Sequence, residues 1–426
     1  MKGKIWTKGK GVYKEKVSVV DESKSLRRKR YIFGMEGSAE EECSRLLGEP
    51  GAWFYRIAKC VRQFEKDYGV KITDILINSS NRYPLFGVLK NFFDVKEYIE
   101  GLPEIGDMAD RFIERCKKEG MGSFSRKEGK VGDFAISIYG LGTFRVNCSQ
   151  AECGTILNIR VLDFVIPDLE DLQCPKAYME FLEQDILEEV DIDLGKRKVK
   201  SYEVGKGGLI IHAGETGSGK TTFIASELKF FADRISGLIV TYERPIEYIF
   251  LPPYSARTIQ YELGVHLNDE EIYYHFLRSS PSVGFFYEVK TKDEFVQVLD
   301  LASRGHLVLT TMHSSSVLEV FSNFASFDAE VRGLFVNTIK GIVCHKLVTD
   351  ENGMIVPLYE IFLKKGRVDP VMSLFFKGDM VALKNFLYKE RGFDNFFSFS
   401  EYLTKGIERG ILDKSLLRYN KIIMIR

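Results

Sequence analysis

The sequence predicts an α/β protein in which a strand-rich domain precedes a parallel-sheet domain and a helical C-terminal region. After Gly207-Gly208, short apolar strands alternate with helical segments, as in a parallel sheet with helical crossovers. Before residue 175, three strand patterns around the turn Gly140-Leu141-Gly142 predict an antiparallel meander. Beyond Lys364 the chain is rich in Phe and has a helical pattern.

Composition places the chain among globular proteins of two or three domains. It has 426 residues, of which 45% are hydrophobic and 28% charged, and its 60 basic and 60 acidic residues cancel. No apolar run approaches the roughly 20 residues of a membrane-spanning helix, and the start lacks a signal-peptide core. Seven scattered cysteines without a C-x-x-C pair are expected to be reduced thiols. A cytoplasmic protein, or one peripheral to a membrane, is therefore expected.

The expected division of the chain follows the changes of pattern. A basic run at residues 23–30 suits a flexible extension, with contact to an anionic membrane or to nucleic acid as the alternative. Residues 174–204 are charged and predicted to be a helical connector. The expected units are the extension 1–40, the N-terminal domain 41–175, the linker 176–204, the parallel-sheet core 205–363 and the C-terminal region 364–426.

Seven strands carry this fold prediction. In the first domain, alternating apolar residues predict strands at 134–138, 144–147 and 155–162. In the second domain, apolar runs predict strands at 209–212, 238–242, 283–287 and 306–311.

A glycine-rich motif follows the first strand of the second domain and opens a helix. It has the spacing G-x-x-x-x-G-K-T, in which backbone amides wrap phosphates, the lysine reaches the terminal phosphates and the threonine hydroxyl binds Mg²⁺. The motif predicts an ATP and Mg²⁺ site made by Gly214, Glu215, Thr216, Gly217, Ser218, Gly219, Lys220, Thr221 and Thr222.

Acids and histidines stand at the ends of the following strands. Glu243 ends the second strand of this domain, and Glu288 ends the third, as the acid of a Walker B strand does. His306 and His313 flank the fourth strand, where the second of them could sense the γ-phosphate. A solvated glutamate and structural histidines are the alternatives.

The order GETGSGKTT, TYERPIEY, FFYEVKTKDEF and GHLVLTTMHSSS resembles that of the PilT- and GspE-like ATPases of type II and type IV secretion and pilus systems. Upstream, DFAISIYGLGTFRVN at 133–147 resembles that family's PAS-like N-terminal domain, which precedes a RecA-like core. The TYExPIEY form is most similar to the DotB and TraJ branch, which serves type IVB secretion and plasmid conjugation.

The resemblance implies roles for individual residues. Glu243 matches the catalytic Asp-box glutamate and Glu288 the Walker B glutamate, a metal ligand together with Thr221. His313 matches the His-box histidine and His306 the one before it. Arg145 and Arg160 match arginines that reach a neighbouring subunit's phosphates, which implies a homo-oligomeric ring, usually a hexamer.

Departures from the family pattern imply slow ATP turnover or weak nucleotide binding. Arg244 stands where the family has an Asp, and Lys290 and Thr291 replace the Arg and Asp of G-E-x-R-D.

The resulting hypothesis is a hexameric motor, peripheral to the inner membrane, that hydrolyses Mg-ATP for a secretion, conjugation or pilus machine and contacts its membrane platform proteins. The alternatives are a nucleic-acid-directed RecA-like ATPase and a nucleotide-binding scaffold with weak turnover. Neutral charge and the lack of a basic, aromatic stripe in the core argue against direct nucleic-acid binding.

Overall fold

The structure is a computed structural model that describes residues 32–33, 38–88, 91–119, 121, 123–124, 132–163, 165–193, 198–250, 254, 257–264, 266–351, 354–366, 368–389 and 394–419. The basic run 23–30 and residues 194–197 of the connector lie outside this part. Among the described residues, no helix combines the length and the apolar character that a membrane crossing requires.

The N-terminal domain is built on a sheet with the strand order β1-β6-β7-β8-β2-β3-β4, and β5 pairs with β6. The predicted meander is present as the antiparallel strands β6, β7 and β8. The strands are β1 (Ile32–Phe33), β2 (Asp74–Asn78), β3 (Leu85–Val88), β4 (Asn91–Asp94), β5 (Ser123–Phe124), β6 (Gly132–Ile138), β7 (Gly142–Ala151) and β8 (Gly154–Leu162).

Three amphipathic helices pack against this sheet. They are α1 (Ala39–Leu47), α2 (Glu49–Tyr68) and α3 (Met108–Lys118). Their apolar residues form one core with the inward residues of the strands, in which the rings of Phe54 and Phe112 stack 4.7 Å apart. This core contains no residue beyond Val161, so it is separate from the cores of the rest of the chain.

The connector is helical only in its first part, which corrects the prediction for residues 174–204. Helix α4 (Lys176–Phe181) and a π-helical turn (Leu182–Ile186) lead into a hairpin of β9 (Leu187–Asp193) and β10 (Lys198–Val204). Alternation in β10, where Ser201 is buried between the exposed Lys200 and Tyr202, is a strand pattern. Its charge made the segment look like a solvated helix.

The second domain contains a sheet with the strand order β13-β12-β14-β15-β11-β16-β17-β18. From β13 to β16 the pairing is parallel, and β17 and β18 add antiparallel strands. The strands are β11 (Gly208–Ala213), β12 (Ile239–Glu243), β13 (Thr258–Glu262), β14 (Val283–Phe286), β15 (Leu307–Met312), β16 (Ile339–Thr349), β17 (Ile355–Leu363) and β18 (Phe396–Phe397).

The four predicted core strands therefore lie within one or two residues of their predicted bounds. Strands β11, β12, β14 and β15 are buried at every residue, because helices cover both faces of the sheet. Those helices are α5 (Lys220–Arg234), α6 (Ile272–Ser279), α7 (Lys292–Ser303), α8 (Val317–Ala325) and α9 (Ala329–Thr338). The carboxyl ends of the parallel strands share one edge, where ligands of such sheets bind.

Beyond residue 364 the chain forms helices that pack on the end of this sheet. They are α10 (Asp369–Lys377), α11 (Met380–Lys389) and α12 (Phe399–Glu408), followed by a 3₁₀ turn (Lys414–Tyr419). The short strand β18 lies between the last two helices and pairs with β17, which attaches this region to the sheet.

Candidate active site

The phosphate loop lies between β11 and α5. At Gly219, the residue before the helix, φ is +89°, a conformation that side chains rarely adopt. At Gly214 an added Cβ would lie 2.7 Å from the carbonyl oxygen of His345, so the loop passes too close to β16 for any side chain. The loop therefore directs backbone amides at the N-terminus of α5 toward one point, which is the arrangement that binds phosphates.

Lys220 is folded back over the loop. Its Nζ donates hydrogen bonds to the carbonyl oxygens of Gly214, at 2.6 Å, and Glu215, at 2.9 Å. Burial lowers the pKa of Lys220 from its ordinary 10.5 to about 8. The ammonium is thus desolvated in advance and positioned to exchange carbonyl partners for phosphate oxygens.

A cavity of 1610 Å³ opens beside the loop. Its walls come from the loop, from strands β7 and β8 of the N-terminal domain, and from the C-terminal helices. Of the predicted site residues, it is lined by Gly214, Glu215, Thr216, Gly217, Ser218, Gly219, Lys220, Thr221, Thr222, Arg145, Arg160, Glu288 and His313.

The ends of β14 and β15 bring an acid and a histidine to this cavity. His313 Nε2 lies 2.6 Å from Glu288 Oε1, and His313 Nδ1 lies 3.3 Å from the carbonyl oxygen of Gly214. The other oxygen of Glu288 is 3.0 Å from Lys290 Nζ. Glu288 and His313 therefore form a pair directly beside the phosphate loop, as the sequence predicted for the carboxyl edge of the sheet.

Glu243 and His306 are placed differently. Glu243 is buried at the end of β12, where its Oε1 accepts hydrogen bonds from Thr241 Oγ1, at 2.6 Å, and Gln260 Nε2, at 3.0 Å, and it does not line the cavity. His306 precedes β15, and its Nδ1 is 2.7 Å from the carbonyl oxygen of Pro281.

Because β15 runs parallel to β11, its first residue lies at the edge of the sheet opposite to the phosphate loop. Seven steps along the strand separate His306 from His313, which is about 23 Å at about 3.3 Å per residue. The structure therefore does not bring His306 to the site, and its contact with the ring of Phe276 indicates a packing role.

The two predicted arginines face each other across β7 and β8 and share a buried acid. Arg145 Nη1 donates to Glu247 Oε1 at 2.9 Å, and Arg160 Nη1 lies 3.9 Å from the same oxygen. Arg145 also contacts Asp133 at 3.3 Å. Glu247 belongs to the core domain and lines the cavity, so this cluster joins the two domains of one chain.

Sequence reasoning missed Glu247 and His345 as site residues. Glu247 was present in the motif TYERPIEY, whose second glutamate attracted no attention because Glu243 stands directly at the strand end. His345 lies in β16, a strand that was not predicted, and its side chain also lines the cavity.

Glu360, in β17, is a second buried acid on the cavity wall besides Glu247. It accepts hydrogen bonds from the backbone N–H of Val317, at 2.8 Å, and from the hydroxyl of Tyr388, at 2.8 Å. Burial raises the pKa of Glu360 from 4.5 to about 7. The residue connects the sheet to α8 and to the C-terminal helix α11.

The donors at the loop fit Mg²⁺ bound with a nucleotide. Thr221 and Glu288 line the same cavity and offer a hydroxyl and a carboxylate, the hard oxygen ligands that this ion prefers. In such sites the ion takes one or two protein ligands and completes its shell with phosphate oxygens and water.

A phosphate loop between a buried parallel strand and a helix, faced by an acid and a histidine from neighbouring strands, defines a P-loop nucleotide-binding domain. Residues 187–369 match the family described as Type II/IV secretion system protein. The match begins at the first residue of β9 and thus includes the hairpin.

Among curated proteins, the chain is 27% identical over 271 residues to the type IV pilus ATPase PilU of Pseudomonas aeruginosa, which covers 60% of this chain and 65% of the relative. The match thus spans slightly less than two thirds of that relative's length.

Two solved structures share the fold. The pilus retraction motor PilT with bound ADP has a TM-score of 0.61 at 22% identity, covering 84% of this chain and 95% of that one. The ATPase DotB of Yersinia pseudotuberculosis has a TM-score of 0.64 at 17% identity, covering 94% and 97%. The predicted resemblance to PilT- and GspE-like secretion ATPases is confirmed, and the fold is shared with DotB.

Proposed function

We propose that this chain binds Mg-ATP at the phosphate loop and hydrolyses it to drive a secretion, conjugation or pilus machine. The observation that carries the proposal is the convergence of the phosphate loop, Glu288 and His313 at the carboxyl edge of one sheet. The family match of the core and the PilU relative, which is named a type IV pilus ATPase, support the kind of machine.

The reaction assigns distinct tasks to the residues of the site. Water attacks the γ-phosphorus, the bond to the bridging oxygen breaks, ADP leaves, and the attacking water loses a proton. Lys220 and the amides of the loop balance the negative charge on the phosphates. Bound Mg²⁺, held by Thr221 and Glu288, would neutralise charge on the phosphate oxygens.

The acids act on the water. The Glu288 carboxylate, beside His313, is placed to orient the attacking water and to receive its proton. Glu243 remains a proposed second catalytic carboxylate. Glu243 is buried and does not line the cavity, so it would influence hydrolysis indirectly, through Gln260 and the neighbouring loop, unless the site rearranges.

The finer architecture belongs to the same proposal. The N-terminal domain, residues 41–175, would be PAS-like, the linker would occupy 176–204 and the RecA-like core 205–363, followed by the helical region 364–426. The working form would be a hexameric ring, peripheral to the inner membrane and docked on platform proteins. In such a ring Arg145 and Arg160 would leave Glu247 and reach the phosphates of a neighbouring subunit.

One observation favours a second candidate, a nucleotide-binding scaffold with weak turnover. Lys290 Nζ lies 3.0 Å from Glu288 Oε2, so an ion pair competes with water for this carboxylate. The contact is half in solvent, since the Lys290 side chain is 65% exposed, so solvent screening reduces this effect.

The decisive experiment measures nucleotide affinity and phosphate release on the full chain. The wild-type chain should bind ATP and release phosphate in the presence of Mg²⁺, and Lys220→Ala should abolish both. Lys229→Ala is the matched control, because Lys229 lies in the same helix but pairs with Asp168 outside the cavity.

The outcomes separate the candidates. Tight ATP binding without phosphate release would favour the scaffold, and stimulation by single-stranded nucleic acid would favour a nucleic-acid-directed ATPase. Unchanged ATP affinity in Lys220→Ala would refute the assignment of the loop. Size measurement with and without an ATP analogue tests the ring.

A further inference from the structure

A chain of four polar side chains lies in the interior of the core domain, where apolar residues would be expected. Tyr178 donates its hydroxyl hydrogen to Glu227 Oε1 at 2.9 Å. Glu227 Oε2 lies 3.0 Å from His212 Nε2, and His212 Nδ1 lies 3.0 Å from His345 Nε2. Tyr178, His212 and Glu227 have no exposed surface, and His345 is 4% exposed. We call these four residues the buried polar chain.

The buried polar chain connects four elements around the phosphate loop. His212 lies in β11, two residues before Gly214. Glu227 lies in α5, the helix that the loop opens, and His345 lies in β16, with its carbonyl oxygen against Gly214. Tyr178 lies in α4, the connector helix. The strand that enters the loop is thus joined through side chains to the helix that leaves it.

Burying these four polar side chains costs folding free energy, so their presence indicates a role other than stability. Buried polar groups are often less stabilising than well-packed apolar residues of similar volume. Among the described residues, no lysine or arginine lies within ion-pair distance of Glu227. Aromatic rings surround the chain, with Phe223 5.6 Å from His212 and 4.9 Å from His345, so an apolar filling would fit this layer.

The proton positions along the chain are correlated. The Glu227 carboxylate only accepts hydrogen bonds, and Tyr178 remains a donor because burial and then the charge of Glu227 raise its pKa well above the ordinary value. The negative charge of Glu227, 3.0 Å away, favours a proton on His212 Nε2, which would leave Nδ1 to accept from His345 Nε2. The contact of Glu227 with His212 is at ion-pair distance but off the line of a good hydrogen bond.

His345 is the member of the buried polar chain that lies at the cavity wall. Burial lowers the pKa of His345 well below its usual value, so the ring is neutral. A neutral imidazole has one donor and one acceptor nitrogen, and the neighbour of one nitrogen decides which it is. By acting on His212, Glu227 therefore determines which ring nitrogen of His345 carries the proton, although Glu227 does not contact His345.

We propose that Tyr178, Glu227, His212 and His345 form a positioning network that couples the connector helix to the phosphate loop and sets the hydrogen-bonding polarity of His345 beside it. The inference rests on the proposed nucleotide binding at this loop. It does not depend on the kind of machine the chain serves.

Glu227→Gln tests the polarity. The amide is nearly the same shape and can still accept from Tyr178, but its NH₂ group now faces His212 Nε2 and makes that nitrogen an acceptor. The proton of His212 then moves to Nδ1, and the tautomer of His345 is inverted. The substitution also removes a buried charge, so the thermal midpoint should be unchanged or higher.

The readout is the affinity for fluorescent ADP, measured on the full chain beside thermal unfolding. We expect Glu227→Gln to weaken ADP binding about 3- to 10-fold with no loss of thermal stability, a size typical of coupling through packed networks. Tyr178→Phe should weaken it less. Tyr242→Phe is the matched control, because Tyr242 is a buried tyrosine bonded to His275 on the other side of the sheet and should leave affinity unchanged.

A double-mutant cycle of Tyr178→Phe with His345→Gln tests the coupling between the two ends. An effect of the double variant smaller than the summed single effects would support the network. Additive effects, or ADP affinity in Glu227→Gln equal to that of the wild type, would overturn it. A wild-type chain that does not bind ADP would refute the proposed function as well, so the two failures are distinguishable.

Discussion

Nucleotide affinity should fall steeply with rising pH, because Lys220 must be charged to hold phosphate. In the free chain its pKa is about 8, lowered by burial. A bound polyphosphate favours the ammonium and returns the pKa toward the ordinary 10.5 or above. Binding at pH above 8 therefore takes up a proton, and affinity is highest below that pH and is lost as the pH rises.

The size of the effect follows from the two pKa values. With a pKa of 8, about 91% of the free chains carry a charged Lys220 at pH 7 and about 3% at pH 9.5. With a bound pKa of 10.5, about 91% remain charged at pH 9.5. The dissociation constant is proportional to the charged fraction of Lys220 in the complex divided by its charged fraction in the free chain. It should therefore increase about 25- to 30-fold between pH 7 and pH 9.5.

Titration with fluorescent ADP without Mg²⁺ is the assay, since the phosphates of ADP are already ionised in this range. Lys220→Arg is the control, because a guanidinium stays charged throughout and should give a weaker but pH-independent affinity. A wild-type dissociation constant that changes less than about 3-fold would show that Lys220 has an ordinary pKa, and a similar slope in Lys220→Arg would assign the effect to another group.

Three further outcomes are expected. Glu288→Gln should keep ATP affinity and slow phosphate release about 10²- to 10⁴-fold, and a wild-type rate would remove the carboxylate from the reaction. Arg145→Ala should bind ATP yet be nearly inactive. When it is mixed with Lys220→Ala, activity should partly recover in rings shown to contain both chains, whereas no recovery would count against a shared site.

The third expected outcome concerns how the thermal stability of the chain depends on the ionisation of Glu360. The folded-state pKa of Glu360, about 7, lies above its ordinary 4.5, so ionisation opposes folding increasingly from pH 4.5 to pH 7. Glu360→Gln should then raise the thermal midpoint at pH 8 by several degrees but not at pH 4.5, and equal shifts at both pH values would contradict this.

The core strands and the phosphate loop were predictable because their signals are local. Strand β11 is a continuous apolar run that ends in a complete G-x-x-x-x-G-K-T motif, and Glu288 directly follows such a run at β14. Strand β16 was missed because it reads IKGIVCHKLVT, in which glycine, histidine and lysines hide a buried strand. The hairpin at β9 and β10 was missed because charged residues dominate it.

Contacts between distant segments could not be predicted in the same way. Nothing in the sequence indicates that Glu247 pairs with Arg145, since 102 residues separate them and the pairing depends on how the two domains meet. His306 shows the opposite error. Its position beside an apolar strand looked functional, but strand direction, which only the sheet pairing reveals, places it at the wrong edge.

The separation of the two cores also fixes how the domains can move. The N-terminal core ends with β8 at Leu162, and Ile166 is already packed in the second domain, where Lys229 donates to its carbonyl oxygen at 3.3 Å. Four peptide steps join these residues and span at most about 14 Å. These four steps are the covalent link between the domains and act as a pivot, about which the first domain can swing once the contact of Arg145 with Glu247 is broken. If Arg145 reaches a neighbouring subunit, it does so by a rotation of the first domain about that pivot. A longer link between the domains would let the first domain move independently of the second.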